Sequence, residues 1–297
     1  MYPRAFHYHR ASSLEQAVAL LSELGEDAKL LAGGQSLIPL MKLRFANPAH
    51  LVDLNFIPGT SYVVEQHGTL RLGALTCHAA IEKSELAAKV PMLHDCAAGI
   101  ADVQVRNRGT IGGSLAEADP SGDWAVALLT LGAEVRCLGT RGERSLPLSE
   151  LVKDAYTTVL EHDELIKEVV VKIPAKSSGG AYLSCKRAAP VYPTATAAVE
   201  LTLDGEVCQE ITIALGCVGL TPIPAKDAET AVRGRTISEK TLATAQEAAQ
   251  AAADPQSDMR GCADYKRALV GVLVKRAIEV AVRRARGENV EVSPIYA

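Results

Sequence analysis

Two glycine pairs constrain this chain more than any other feature of it. Leu30-Leu-Ala-Gly-Gly-Gln-Ser-Leu37 carries a short apolar run into Gly33-Gly34 and on into a polar-led helical segment. Val105-Arg-Asn-Arg-Gly-Thr-Ile-Gly-Gly-Ser-Leu-Ala-Glu-Ala-Asp-Pro-Ser-Gly-Asp123 builds a second loop around Gly112-Gly113. Glycine lets a backbone pass close to a ligand, and amides at a helix start attract anions. A phosphate or pyrophosphate suits such a loop; the plainer reading of Gly33-Gly34 is a tight strand-to-helix turn. Neither loop matches G-x-G-x-x-G or the P-loop, so Rossmann and NTPase assignments are unsupported. The second loop adds the hydroxyls of Thr110 and Ser114, two arginines and three acids, and a carboxylate there suits a ribose hydroxyl. Taken alone, Asp123 reads as an N-cap for the helix that Trp124 opens, and Arg106 and Arg108 read equally well as surface ion pairs. Two such loops in one chain favour a shared dinucleotide.

Around the loops the chain reads as α/β. Ser12 and Glu15 form a capping box for a helix that Gly25 stops. Residues 28–32 and 50–54 read as short strands flanking a helix over 35–44, where Pro39 is tolerated in the first turn. Gln66-His-Gly68 makes a hairpin. Thr76 and Ser84 cap helical segments running to about Ala101. A glycine-bearing loop then fills 106–122, a helix spans 123–131, and strands follow over 133–138 and 165–173. Pro174 and Ser177-Ser-Gly-Gly180 form the best linker. Beyond it, 181–187, 196–203 and 207–218 read as an antiparallel sheet with a hairpin at Asp204-Gly205, and 238–286 is helical with a break at Asp254-Pro255. No internal repeat is present. At roughly 150 residues per domain, 297 residues suit two domains.

Composition narrows the function. A net charge of −4 and 4% aromatics suit neither counterion exchange with nucleic acid nor a base-stacking surface. The one dense basic run, Val282-Arg-Arg-Ala-Arg286, reads as a solvated helix end. No run of roughly 18 apolar residues exists to span a membrane, and the N-terminus lacks the apolar core of a secretory signal. Seven cysteines without a CxxC pair point to no zinc or iron–sulfur site and suit a reducing cytoplasm. His7 and His9 read as surface groups in a flexible N-terminal stretch. No GxSxG or HExxH is present, and Asp102 and Asp163-Glu164 lack acid/base context, so no self-contained hydrolytic site is legible.

Ala32-Gly-Gly-Gln-Ser-Leu-Ile-Pro-Leu-Met-Lys42 and Gly109-Thr-Ile-Gly-Gly-Ser114, with Asp119-Pro and Asp123, resemble the paired loops of the FAD-binding medium subunits of molybdenum hydroxylases. The xanthine dehydrogenase FAD domain belongs to this family, and the closest pattern is that of its carbon monoxide dehydrogenase branch. The resemblance runs from Phe6-His-Tyr-His9 to the closing helix of Tyr265-Lys-Arg and Val274-Lys-Arg. It implies an α+β fold: a vanillyl-alcohol-oxidase (PCMH)-type FAD-binding domain over 1–177, with α/β subdomains at about 1–58 and 59–177. A small α+β C-terminal domain of the carbon monoxide dehydrogenase flavoprotein type follows over 178–297, an antiparallel sheet plus helices. It implies that Ala32, Gly33, Gly34, Gln35, Ser36 and Leu37, with Thr110, Ile111, Gly112, Gly113 and Ser114, hold the FAD pyrophosphate and its neighbourhood. By the same resemblance Asp123 holds a ribose-side polar group, Ile100 lines the flavin, and Leu165 contacts the isoalloxazine through its backbone. Tyr192 lies near the ring, and Lys186 is the flavin-side lysine. Ser114 stands where the family has Asn and Gln35 where the nearest branch has His. The cysteine-rich insertion of the hydroxybenzoyl-CoA reductase branch is absent. The branch and the substrate stay open; the FAD assignment does not depend on them.

The implied function is an oxidoreductase subunit, active in complex and with no catalytic residue or metal of its own. It passes electrons from a [2Fe-2S] small subunit, fed by a molybdopterin-binding large subunit, through FAD to an external acceptor, quinone or NAD⁺. The implied assembly is a cytoplasmic heterohexamer, a dimer of heterotrimers, able to sit peripherally at the inner membrane face. A self-contained flavin oxidase of the same fold is the first rival, disfavoured because no large cap region with histidines or tyrosines follows the flavin domain. A flavin-free scaffold is the second, disfavoured by the intact glycine pairs. Gly33→Val or Gly113→Val is expected to abolish FAD retention by clashing with the cofactor.

Overall fold

The computed structural model describes residues 2–293. β1 (His7–Arg10), α1 (Leu14–Leu24), β2 (Ala28–Leu31), α2 (Leu37–Leu43) and β3 (His50–Asp53) build a parallel sheet ordered β1-β3-β2. Ser13, in extended backbone, caps α1 by accepting from the Gln16 amide at 3.1 Å, and Gln16 Oε1 accepts from the Ser12 amide at 2.6 Å. The cap therefore falls one residue after the expected Ser12, with Gln16 rather than Glu15 reaching back. Gly25, at φ 65°, ends the helix as expected. The N-terminal histidines are not on a flexible stretch. β1 pairs with β3 in the register His7↔His50, and His9 Nε2 lies 2.9 Å from His50 Nδ1. His-Tyr-His-Arg carries no apolar alternation, so tertiary pairing makes this strand and local pattern does not show it.

The second unit comprises β4 (Val63–Gln66), β5 (Thr69–Gly73), α3 (His78–Glu82), α4 (Pro91–Gly99), α5 (Val103–Arg106), α6 (Ile111–Glu117), α7 (Trp124–Thr130), β6 (Glu134–Gly139), β7 (Gly142–Pro147), α8 (Leu148–Leu151), β8 (Val152–Asp154), β9 (Thr157–Thr158) and β10 (Leu165–Lys172). Its main sheet is antiparallel, ordered β4-β5-β10-β6-β7. His67 and Gly68 turn the β4–β5 hairpin with both φ values positive, 50° and 74°, as a two-residue I′ turn requires. On central β10 the carboxylate of Glu168 is fully buried. It accepts from Tyr62 Oη at 2.6 Å and pairs with Arg71 at 2.7 Å and Arg136 at 2.8 Å. Those partners hold its pKa below the usual carboxylate value against the cost of burial. Thr76 does not cap α3: Cys77 precedes that helix, and the Thr76 hydroxyl bridges the Tyr62 amide and carbonyl, each at 2.9 Å. The expected loop over 106–122 contains α6, which Thr110 caps through the Gly113 amide at 3.1 Å. Gly112 lies in its first turn because a Cβ there would stand 2.6 Å from the Ala74 side chain.

The third unit holds β11 (Ser178–Cys185), β12 (Ala195–Asp204), β13 (Val207–Gly216), β14 (Ile223–Pro224), α9 (Lys226–Val232), β15 (Arg235–Thr236), α10 (Glu239–Ala252) and α11 (Ala263–Ala285). The sheet runs β11-β12-β13-β14, with β15 on β13. Ser238 and Thr241 close a capping box on α10. The expected linker is corrected in part: Gly179 and Gly180 lie inside β11. A Cβ at Gly179 would stand 2.0 Å from the Ala281 carbonyl of α11, and one at Gly180 would stand 2.0 Å from Glu200 Oε2. Close packing, not flexibility, selects these glycines. Leu183 and Val199, on the strands that α11 packs against, and Ile213 and Leu215, on the strand against α9, share the core of this unit, while Tyr182, Ala198 and Ala214, one cross-strand row, join the core of the second unit around Trp124. Among the described residues every cysteine is a free thiol, and no helix is long and apolar enough to cross a membrane.

Candidate cofactor site

The two glycine segments touch. A Cβ on Gly33 would stand 2.1 Å from the Arg108 carbonyl oxygen and 2.8 Å from Gly109 Cα, so only glycine permits the crossing. Beside it opens a cleft of about 700 Å³, within the roughly 300–1,000 Å³ of small-molecule and cofactor sites. Ala32, Gly33, Gly34, Gln35, Ser36, Leu37, Ile100, Thr110, Gly112, Gly113, Ser114, Asp123, Leu165, Lys186 and Tyr192 all line it. Ile111 does not. It is 0% exposed in the hydrophobic core, and its amide donates to the Thr76 carbonyl at 3.1 Å.

The loops differ in what they offer. In the first, Gly34 adopts φ 73°, and the amides of Gly33, Gly34, Gln35 and Ser36 meet no acceptor among the described residues. Asn55 ties back the opposite side of this loop: its Nδ2 donates to the Ala32 carbonyl at 2.8 Å and to Asp53 Oδ1 at 2.7 Å. Tyr8 Oη in turn donates to Asp53 Oδ2 at 2.6 Å. In the second loop the amides from Ile111 to Ser114 are spent. Ile111 donates to Thr76, Gly112 to the Ala74 carbonyl at 2.9 Å, Gly113 to Thr110 Oγ1 and Ser114 to the Thr110 carbonyl. That loop supplies hydroxyls and a wall. The charged lining is mostly acidic, with Glu26, Glu117, Asp119, Asp123, Glu161 and Glu164 against Lys29 and Lys186. A diphosphate bound here would be held chiefly by neutral amide donors, not by a cationic clamp.

A second cluster lies where the third unit meets the cleft. Lys186, 4% exposed, donates from Nζ to the Gly99 carbonyl. Asp123, 6% exposed, makes no capping bond to α7; its Oδ1 accepts from Tyr182 Oη at 2.7 Å. Burial pushes the Asp123 carboxyl up, while Lys186 and the Tyr182 hydroxyl draw it down. Tyr192 is half exposed at the edge of the cleft, and partial burial of its hydroxyl, then the negative charge of Asp119, push its pKa up. Arg106 is a partly buried strut and no ligand candidate: it pairs with Glu82 at 3.1 Å and donates to the Ile100 and Ala101 carbonyls. Sequence reading missed Tyr182, Asn55, Asp53, Tyr8 and His78. Asp53-x-Asn55 after a strand is an Asx-turn signal that could have exposed the loop tether. His78, which lines the cleft, leaves no local signature.

Residues 4–176 match the family described as FAD binding domain in molybdopterin dehydrogenase, and 180–281 match the CO dehydrogenase flavoprotein C-terminal domain. The chain is 41% identical over 287 residues to the carbon monoxide dehydrogenase medium chain of Afipia carboxidovorans, covering 96% of this chain and 100% of that one. Carbon monoxide dehydrogenase from Hydrogenophaga pseudoflava is similar in structure with a TM-score of 0.94 at 41% identity, over 96% of this chain and 99% of that one. Quinoline 2-oxidoreductase from Pseudomonas putida 86 is similar with a TM-score of 0.91 at 34% identity, over 96% and 99%. The fold is therefore a PCMH-type FAD-binding domain followed by the flavoprotein C-terminal domain. Unpaired amides on the Gly33 loop, a cleft of adequate size and a buried lysine at one side of it fit a flavin dinucleotide. The chain belongs to the FAD-binding medium subunits of the molybdenum hydroxylases, oxidoreductase subunits with FAD as cofactor.

Proposed function

We propose that this subunit conducts electrons through one FAD held in the cleft, from a [2Fe-2S] small subunit to an external acceptor. The assembly would include a molybdopterin-binding large subunit, as a dimer of heterotrimers. The observation that carries the reading is the crossing of Gly33 on the Arg108-Gly109 backbone, beside a cleft that both the unpaired amides of the first loop and the second loop line. In this reading the amides of Gly33, Gly34, Gln35 and Ser36 cradle the diphosphate, between Ala32 and Leu37. Thr110, Gly112, Gly113 and Ser114 form the facing wall, and Asp123 holds a ribose-side polar group. Ile100, Leu165 and Tyr192 bound the ring, and Lys186 sets a buried cation beside it. FAD supplies reversible electron uptake and release when bound; the protein supplies position, exclusion of water and the local field. The buried ammonium of Lys186 favours negative charge in its neighbourhood more than a solvated one would.

Substrate choice belongs to the large subunit in this reading, and the acceptor is a quinone or NAD⁺. The free thiols support a cytoplasmic location, with any membrane association peripheral and through the complex. We divide the chain into a flavin domain over 1–177, with subdomains at about 1–58 and 59–177, and a C-terminal domain over 178–297. The test is cofactor release from the purified chain together with turnover assays. Near one FAD per chain, with no substrate oxidation until the partner subunits are added, is the expected result. No FAD even after incubation with excess cofactor overturns the proposal, and substrate oxidation by the chain alone points to the self-contained oxidase.

A further inference from the structure

His78 stands where the glycine segments cross. It opens α3, its amide donates to the Gly109 carbonyl at 3.0 Å, and the residue is 4% exposed. Trp124 Nε1 lies 3.0 Å from His78 Nδ1. An indole N–H only donates, so Nδ1 is the acceptor, and the proton of the neutral ring sits on Nε2. Burial keeps the ring neutral, with a pKa pushed down to about 4. Nε2 has no hydrogen-bond partner among the described residues. Among the described residues, the fully buried side-chain polar atoms without a partner are Thr196 Oγ1 and Glu200 Oε1. Nε2 is therefore not sealed in, and it opens on the cleft that His78 lines. Gly109 makes the opening: a Cβ there would stand 2.7 Å from Nε2, and Gly109 Cα is itself an atom that Gly33 abuts.

We propose that His78 Nε2–H donates a hydrogen bond to an anionic oxygen of the dinucleotide's diphosphate, at the crossing of the two glycine segments. Trp124 is the positioning residue that fixes the tautomer. The donor is neutral, which fits a cleft that neutralises phosphate through N–H groups. The proposal rests on this cleft being the FAD site.

Two substitutions separate the donor role from a purely structural one. His78→Asn places an acceptor where Nδ1 stood, so Trp124 stays satisfied, but it removes the donor at the Nε2 position. His78→Gln does the reverse. In the full chain His78→Asn should bind FAD roughly 10- to 100-fold more weakly, the loss expected for a hydrogen bond to a charged group. His78→Gln should stay within about threefold of the unaltered chain while losing thermal stability. The emission of Trp124, the only tryptophan, reports whether the packing survives. Imidazole ¹⁵N spectra of the unaltered, flavin-stripped chain give a reading free of substitutions: ADP should shift the Nε2 resonance and riboflavin should not. Equal FAD affinity for His78→Asn and the unaltered chain, or a ¹⁵N spectrum indifferent to ADP, overturns the proposal and leaves the FAD reading standing. If the unaltered chain binds no FAD at all, the FAD reading falls, and this proposal with it.

Discussion

At the scale of single residues, the cleft is built from groups whose charge state the fold has chosen. His78 is the clearest. Its pKa is about 4 in the folded chain against 6.5 for the ordinary group, because burial, and then the charge of Arg106, disfavours the imidazolium. The unfolded chain therefore takes up this proton first. The contribution is fully present above pH 6.5 and is lost as pH falls toward 4, by about 3 kcal/mol from this site. Urea unfolding of the chain at pH 7 and pH 4.5, compared with His78→Asn, isolates the effect. A pH dependence unchanged by the substitution would assign the acid sensitivity to other groups. Asp123 follows the same logic with the opposite sign: burial pushes its carboxyl up, and the Tyr182 hydroxyl that donates to it and the nearby Lys186 draw it down.

At the scale of elements, glycines decide which segments can touch. The expected clash of a Gly33 side chain was with the cofactor; the structure shows it first with the Arg108 carbonyl, 2.1 Å from the position a Cβ would take. Gly33→Val should therefore force the two loops apart and lower the stability of the flavin-free chain by roughly 1–3 kcal/mol as well as abolish FAD retention. An unchanged melting temperature in the flavin-free variant, with FAD lost, would restore the cofactor clash as the cause. Gly113 differs again. A Cβ there would meet Thr110 Oγ1 at 2.8 Å, the atom that caps α6, so substitution strikes the helix start before any ligand. Gly179 and Gly180 show the same principle in β11, where a composition that suggests a linker serves a helix packed onto a strand.

At the scale of the molecule, the antiparallel sheet of the third unit is buried on both faces where it meets the second unit, which is why the first half of β12, residues 195–199, is continuously buried while its second half alternates. One face meets α9 and α11, with α10 packed on both; the other carries Tyr182 into the core around Trp124 and its hydroxyl onto Asp123. Arg284, near the end of α11, fastens this packing. Its guanidinium spans both oxygens of Asp95 on α4, at 2.5 and 2.9 Å, and donates to the Gly180 carbonyl at 2.7 Å. Arg284→Ala strands a buried carboxylate and should cost about 3–5 kcal/mol, whereas Arg284→Met with Asp95→Leu should recover most of it. Denaturant unfolding of both variants checks this. A single-variant loss below about 1 kcal/mol would mean that the apolar core alone holds the units together.

What the sequence determined by itself was local. Gly25 as a helix stop, the His67-Gly68 turn, the strands around 28–32 and 165–173, and the two glycine pairs all depend on backbone conformations and neighbours a few residues away. The resemblance carried by those pairs reached the family and its cofactor. Tertiary structure decided which of those residues have donors to spare. Ile111 and Gly112 spend their amides on Thr76 and Ala74, while the amides from Gly33 to Ser36 remain unpaired, and no local pattern distinguishes the two loops. His78 with Trp124, Asn55 with Ala32 and Arg284 with Asp95 are likewise pairs between segments distant in the chain. Every backbone and side-chain polar group must be accounted for, but its partner is set by the whole fold. A motif names the groups present, and only the packed chain settles which of them face a ligand with a hydrogen bond still to make.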